Sequence, residues 1–309
     1  MSWAGHSGRK AETLERAFVG RSLWADARAR LFRNRAAVAS MIVLAIITLM
    51  AIFAPLFSHY AYDAVDYDLV TCAPSWWPGD AACFAGGTHW FGTDAVGRDL
   101  FVRVLYGARV SLAVGVVATL VSLVIGVLYG ATAGYLGGRV DALMMRAVDI
   151  LYSLPFIFFV IILMVMFDRN FILLFVAIGA VVWLTMARIV RGQTLSAKQK
   201  EYIEAARAAG VSPFGIIVRH IIPNVVGPVV VYVTLTVPDV ILTESFLSFL
   251  GLGIQEPLTS WGVLISDGAN TMESAPWLLV FPALFMAVTL FCFNFIGDGL
   301  RDALDPKDY

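Results

Sequence analysis

Residues 198–224, KQKEYIEAARAAGVSPFGIIVRHIIPN, are the longest polar interruption between strongly apolar segments after residue 110. Their punctuation predicts two short helices joined at one glycine. Ser196 and Gln199 have the spacing of a capping box, Gly210 can supply a left-handed C-cap, and Ser212 followed by Pro213 restarts a helix with proline at its first position. Pro223 is expected to end that second helix. Ala205, Ala206, Ala208 and Ala209 keep the first helix low, so another protein can approach closely, while Lys198, Lys200, Glu201 and Arg207 keep it solvated. Such an element fits a docking device better than a spacer.

The segments on either side belong in a bilayer. Of the 309 residues, 59% are hydrophobic and 15% charged, and the mean hydropathy is +0.79; soluble domains carry about 25% charge. Residues 1–37 form a basic tail in which Leu23, Trp24, Ala27 and Leu31 suggest a short amphipathic helix lying at the interface. Residues 38–57 are apolar over about 20 positions, enough to span the hydrocarbon core, and with the arginine-rich stretch before them they are expected to remain as an anchor and not to be a cleaved leader. A loop, 58–106, follows. Five further spans are expected at 110–134, 140–167, 171–187, 225–250 and 276–296, with a tight turn at 168–170 and a half-apolar, interfacial or re-entrant stretch at 251–275. The core thus covers 107–300, and 301–309 is a polar tail.

Six spans place both ends on one side. Eighteen lysines and arginines lie on that side, against Arg98, Arg103, Arg169 and, at the membrane edge, Arg109 on the other. The positive-inside rule then makes both termini and residues 198–224 cytoplasmic. Gly126, Gly130 and Gly134 recur every fourth residue, which predicts a face for close helix packing, and Pro155 should kink the third span.

No GxxxxGK[ST] phosphate loop is present, so a nucleotide-driven process would need another polypeptide to bind the nucleotide. Neither GxSxG nor HExxH occurs, and the cysteines and histidines have no metal-ligand spacing; the chain offers no catalytic set, metal site or nucleic-acid-binding signature. Cys72 and Cys83 lie in the loop assigned to the outside, where disulfides persist, and a bridge between them is expected. Asp239 and Glu244, the two acids of the fifth span, are the sharpest residues inside the membrane. Five residues apart, they project about 140° apart on a helix, and a charge at mid-bilayer must face protein or water. Each either lines a path or is a buried acid bonded to a neighbouring helix.

Glu204-Ala205-Ala206, three residues, Gly210, then an apolar run closed by Pro223 resembles the EAA loop of bacterial ABC importer permeases. His220 and Ile222 stand where the general pattern has isoleucine and leucine, and Arg219, His220, Pro223 and Asn224 resemble the peptide-transporting branch. Phe91-Gly-Thr-Asp94-Ala-Val-Gly97-Arg98-Asp99 is similar to the segment before the core helices in those permeases. Glu244-Ser-Phe-Leu-Ser-Phe-Leu-Gly-Leu-Gly253 and Asn294-Phe-Ile-Gly-Asp-Gly-Leu-Arg301 extend the likeness to the C-type permeases of the oligopeptide and dipeptide ABC importer family, the binding-protein-dependent transport inner membrane components.

The resemblance implies an all-α membrane protein: one N-terminal helix plus a five-helix type I importer core in the bacterial inner membrane. It implies a heterodimer with a related B-type permease, two cytoplasmic ATPases carrying ATP and Mg2+, a periplasmic peptide-binding protein, membrane lipid as solvent, and no cofactor on this chain. Glu204, Ala205, Ala206, Gly210, Pro213, His220 and Pro223 are then the ATPase-coupling residues. Glu244, inside a family-like stretch, is expected to matter more than Asp239. Asp94, Arg98 and Asp99 could pair among themselves, either as a solvated turn or as part of a gate. The competing class, a self-contained secondary transporter or channel, predicts repeat symmetry and coupling-ion ligands in broken helices; neither is evident.

Overall fold

A long apolar segment in a bilayer has no solvent for its amides and must satisfy them internally, so it folds as a helix. The computed structural model, which describes residues 23–77, 83, 88–166 and 171–304, contains five helices long and apolar enough to cross a membrane, and a sixth formed by a bent pair. The fold is all-α, with one isolated β-bridge, Thr93 to Asp99, among the described residues. Residues 1–22, the turn expected at 168–170, Pro78, Gly79, Gly86, Gly87 and the end of the tail at 305–309 lie outside the described residues.

Helix α1, Leu23–Arg33, leads through Asn34 into α2, Arg35–Ile52. Asn34 is the N-cap, its side chain accepting from the amides of Ala36 and Ala37 at 3.1 and 3.2 Å. On α1, Ala27 is buried while Trp24 and Phe32 are exposed, as suits a helix at an apolar interface. Helix α3, Leu100–Leu136, begins ten residues before the expected apolar run. The added turns carry Arg103, Tyr106 and Arg109, which a hydropathy reading assigns to a loop, but each finds partners in the fold. Arg109 donates to the carbonyls of Ala51 and Ile52 at the end of α2 and lies over the Tyr106 ring, 4.2 Å from its centroid. A cation thus sits on the negative end of the α2 dipole and fastens that helix to the core.

The expected third span is two helices, α4, Gly138–Ser153, and α5, Phe156–Met166, meeting at 78° on either side of Leu154 and Pro155. Pro155 kinks the chain as its missing amide predicts. The bend is larger than a kinked span because α4 is amphipathic: Asp141 and Asp149 pair with Arg191 and Arg188 on α6, while α5 is wholly apolar. Helix α6 covers Phe171–Ala197 and α7 Glu201–Ala208. Helix α8 runs unbroken over Pro213–Phe249, followed by α9, Trp261–Asn270, and α10, Trp277–Leu304.

The glycine stripe on α3 lies against α6. A Cβ on Gly126 would stand 2.5 Å from Met186 Cβ, one on Gly134 2.8 Å from Thr194 Cβ, and one on Gly130 would strike the carbonyl oxygen of Ala187. Backbone carbonyls cannot step aside as a flexible side chain can. Gly130→Leu is therefore expected to separate the helices and lower stability by ~3 kcal/mol, the upper range for overpacking, read as lower membrane abundance and a reduced thermal midpoint. An unchanged midpoint would show that the α3–α6 seam is soft.

Candidate functional site

Helix α7 begins after Lys200, which makes no side-chain cap. The capping box expected from Ser196 is absent, because α6 continues to Ala197 and the Ser196 hydroxyl donates back to the Gly192 carbonyl at 3.4 Å. Serine within a helix has that local acceptor available. At the other end Gly210 has φ +79; its amide donates to Arg207 O at 3.0 Å and that of Val211 to Ala206 O at 3.1 Å, the paired bonds of a Schellman cap. Ser212 accepts from the Gly215 amide at 3.2 Å, with Pro213 at the first helical position.

Pro223 does not end this second arm. A five-residue π-helical turn, Ile217–Ile221, carries the arm into the following span. The wider turn changes the hydrogen-bonding register just before a residue with no amide to give, so helix and proline coexist. The arm and the fifth span are one helix.

The small surface is also narrower than four alanines suggest. Ala205 is exposed, but Ala206 is buried beside Ile203 in a cluster with Tyr135, Val190 and Ile217. Glu204 is exposed and its side chain has no hydrogen bond or ion pair among the described residues, which leaves its carboxylate open to another protein. Phe214, not singled out by the motif, is 72% exposed on the first turn of α8. His220 is half-buried, and its carbonyl accepts from Asn224 Nδ2 at 2.6 Å.

Asp239 and Glu244 have opposite surroundings, as their angular separation requires. Glu244 is fully buried. Its Oε1 accepts from Ser248 and Ser260, both at 2.7 Å, and its Oε2 from Ser111 at 3.3 Å. Ser260 also caps α9 through the Val263 amide, and Ser111 accepts from the Trp261 amide. One carboxylate thus ties α3, α8 and α9 together, and Glu244 lies in the core. Glu244→Leu, which strands three buried hydroxyls, is expected to cost ~3 kcal/mol or more and to deplete the protein from membranes. Glu244→Gln keeps size and bonding capacity and should stay near wild type; equal behaviour of the two variants in a thermal-shift assay would remove the structural role.

Asp239 opens instead into a half-open cavity of about 420 Å³ at the corner between α4 and α5, lined also by α6 and α8. Tyr152, Thr185, Tyr232, Thr236 and Thr243 give it hydroxyls, the rest of its described lining apart from Asp239 is apolar, and no lysine, arginine or histidine is among the described lining residues. The Asp239 main-chain carbonyl accepts from Thr243 Oγ1 at 2.7 Å, while its carboxylate has no partner among the described residues. At the rim Arg188 pairs with Asp149 at 2.9 Å and lies 4.4 Å from the centroid of the Tyr152 ring.

At the opposite end of α3, Asp94 accepts from Arg98 Nε at 2.7 Å, from Arg103 Nη1 at 2.5 Å and from the amides of Val96 and Arg98 at 2.9 Å. Burial opposes its charge, but Arg103 and these bonds prevail and hold its carboxyl below the ordinary value. Arg98 also reaches Glu256 at 2.8 Å. Asp99 does not join this set: it caps α3 through the Val102 amide and pairs with His89 Nδ1 at 2.7 Å. Cys72 and Cys83 are disulfide-bonded, their Cα atoms 5.6 Å apart. Arg103, 1% exposed, is the residue the sequence reading undervalued; an arginine within an apolar run was the available signal.

The family model for binding-protein-dependent transport system inner membrane components matches residues 103–307. The chain belongs to that family. A second model, the N-terminal TM domain of oligopeptide transport permease C, matches residues 22–74 of this permease. The permease is 61% identical over 307 residues to the oligopeptide transport system permease protein OppC of Escherichia coli K12, covering 98% of this chain and 99% of that one. It is 46% identical to OppC of Bacillus subtilis, covering 93% and 90%, and 38% identical to the glutathione transport system permease protein GsiD of an Escherichia coli O6 strain, covering 99% and 98%. Among solved structures it is similar to a chain of the inward-facing MetNI methionine ABC transporter, with a TM-score of 0.56 at 20% identity, over 67% of this chain and 96% of that one; this last likeness concerns the fold. The permease is a multi-pass inner-membrane protein.

Proposed function

We propose that this permease forms half of the translocation pathway of an ATP-driven ABC importer for oligopeptides. Its partners are a related B-type permease, two cytoplasmic ATPases that carry ATP and Mg2+, and a periplasmic peptide-binding protein. Both termini and residues 198–224 face the cytoplasm, with Glu204, Ala205, Gly210, Pro213 and His220 on or beside the ATPase-docking surface. The 38% to 61% identity to permeases of oligopeptide and glutathione systems supports the substrate class. The observation that carries the mechanism is the continuity of α8, whose first turn belongs to the docking element and whose middle carries Asp239 on the cavity wall.

In this reading, movement of the ATPases displaces α7 and the start of α8 together, and the cavity opens or closes as α8 shifts against the α4–α5 corner. Ala206 and Pro223 act within the permease, the first packing α7 on the core and the second sitting in the helix that transmits the shift. Asp94, Arg98 and Asp99 hold the periplasmic entrance to α3. The test is reconstitution of the permease with its partner subunits in liposomes. Uptake of a labelled tripeptide that requires both ATP and the binding protein is expected, and uptake driven by an ion gradient without ATPase subunits would overturn the reading.

A further inference from the structure

We propose that the Asp239 carboxylate is the docking point for the amino-terminal ammonium of the transported peptide, an inference that rests on reading this chain as half of a peptide pathway. The two acids of α8 show the contrast. Glu244, used for structure, is enclosed by three serine hydroxyls. Asp239 has no such enclosure, yet it faces a cavity within the ~300–1,000 Å³ range of small-ligand sites. A carboxylate kept in a membrane segment without a partner marks a place where something charged arrives.

The sign of that charge follows from the wall. With Asp239 as the only charged residue among its described lining residues, the cavity favours a cation and repels a carboxylate, so a peptide entering by its amino end is matched and one entering by its carboxyl end is not. Thr236 and Thr243 lie on α8 within about one turn of Asp239 on either side, placing hydroxyls where the first peptide groups would lie. Tyr152 and Tyr232 add hydroxyls and ring faces, which also attract an ammonium. None of these groups reads a particular side chain. The site therefore recognises what all linear peptides share, and the open side of the cavity leaves room for the remaining residues to trail.

The assembled importer in liposomes can test this with two tripeptides bearing photo-leucine at the first or the third position, illuminated during ATP-driven uptake, with adducts mapped by mass spectrometry. The first-position probe is expected to label residues 152–156 or 232–243 about tenfold more than the third-position probe, a comparison made in the wild-type chain and independent of any variant's folding. D239N should lose that labelling by a similar factor, and D239E should retain it. Equal labelling by the two probes, or undiminished labelling in D239N, overturns the ammonium site. A wild-type importer that transports the peptide without adducts on these residues overturns it too while leaving the importer intact; one that transports no peptide overturns the proposed function itself.

Discussion

Gly210→Val is expected to lower peptide import and the permease-stimulated part of ATP hydrolysis by about tenfold, the change that ~1.4 kcal/mol brings, while the spans remain inserted. The effect comes from the backbone alone. Gly210 has φ +79 and a Cβ there would meet nothing within 4 Å, so no clash with a neighbour is involved. An L-residue in the left-handed region costs roughly 1–2 kcal/mol, and a β-branched residue is a clear outlier there. Relieving the strain means giving up the Schellman bonds to Arg207 and Ala206 and re-aiming α7 relative to α8. Gly210→Asn, the residue that best tolerates this region after glycine, should retain most activity and Gly210→Ala should fall between. Liposome transport with all three variants checks the order; valine performing like glycine would mean that the angle between the arms does not matter.

Arg103→Leu is expected to destabilise the permease by ~3 kcal/mol, the lower end for breaking a buried ion pair, since Arg98 still serves Asp94. The measurement is the thermal midpoint of the purified protein, with a clear loss of membrane abundance alongside. Arg103→Lys should recover part of the loss, because it restores charge without the fork that reaches both Asp94 and Thr259. The pH dependence has a definite sign. Asp94 is held below its ordinary 3.8, so its contribution is complete above that pH and is lost as pH falls through the lower folded-state value. At neutral pH the full difference between wild type and Arg103→Leu is present, and a gap that vanished there would exclude the ion pair as its cause.

Local rules made the two-helix element at 198–224 legible. Gly210 after an alanine-rich helix, and Ser212 before Pro213, are cap chemistry that depends on a few adjacent residues, and both caps are present. Ser196 and Pro223 were misread because the same residue types mean different things inside a helix: the serine back-bonds, and the proline is accommodated by a π turn. Spans were legible from apolar runs, except where partners distant in sequence rescue polar residues. Arg103 and Arg109 extend α3 only because Asp94, Ala51 and Ile52 meet them. The 140° between Asp239 and Glu244 foretold separate surroundings but not which acid takes which, and that depends on Ser111 and Ser260 arriving from other elements.

The unbroken course of α8 carries an arithmetic consequence. From Pro213 to Asp239 the rise is about 39 Å at 1.5 Å per residue. Pivoted near its first turn, a helix of that length converts a tilt of about 5° into roughly 3 Å of travel at the acid, comparable to one hydrogen-bond length. Gain of this kind makes the far end sensitive to small errors of aim at the near end, so variants that soften the shaft between them, such as glycine at Val225 or Val229, should leave ATP consumption running while transport fails to follow.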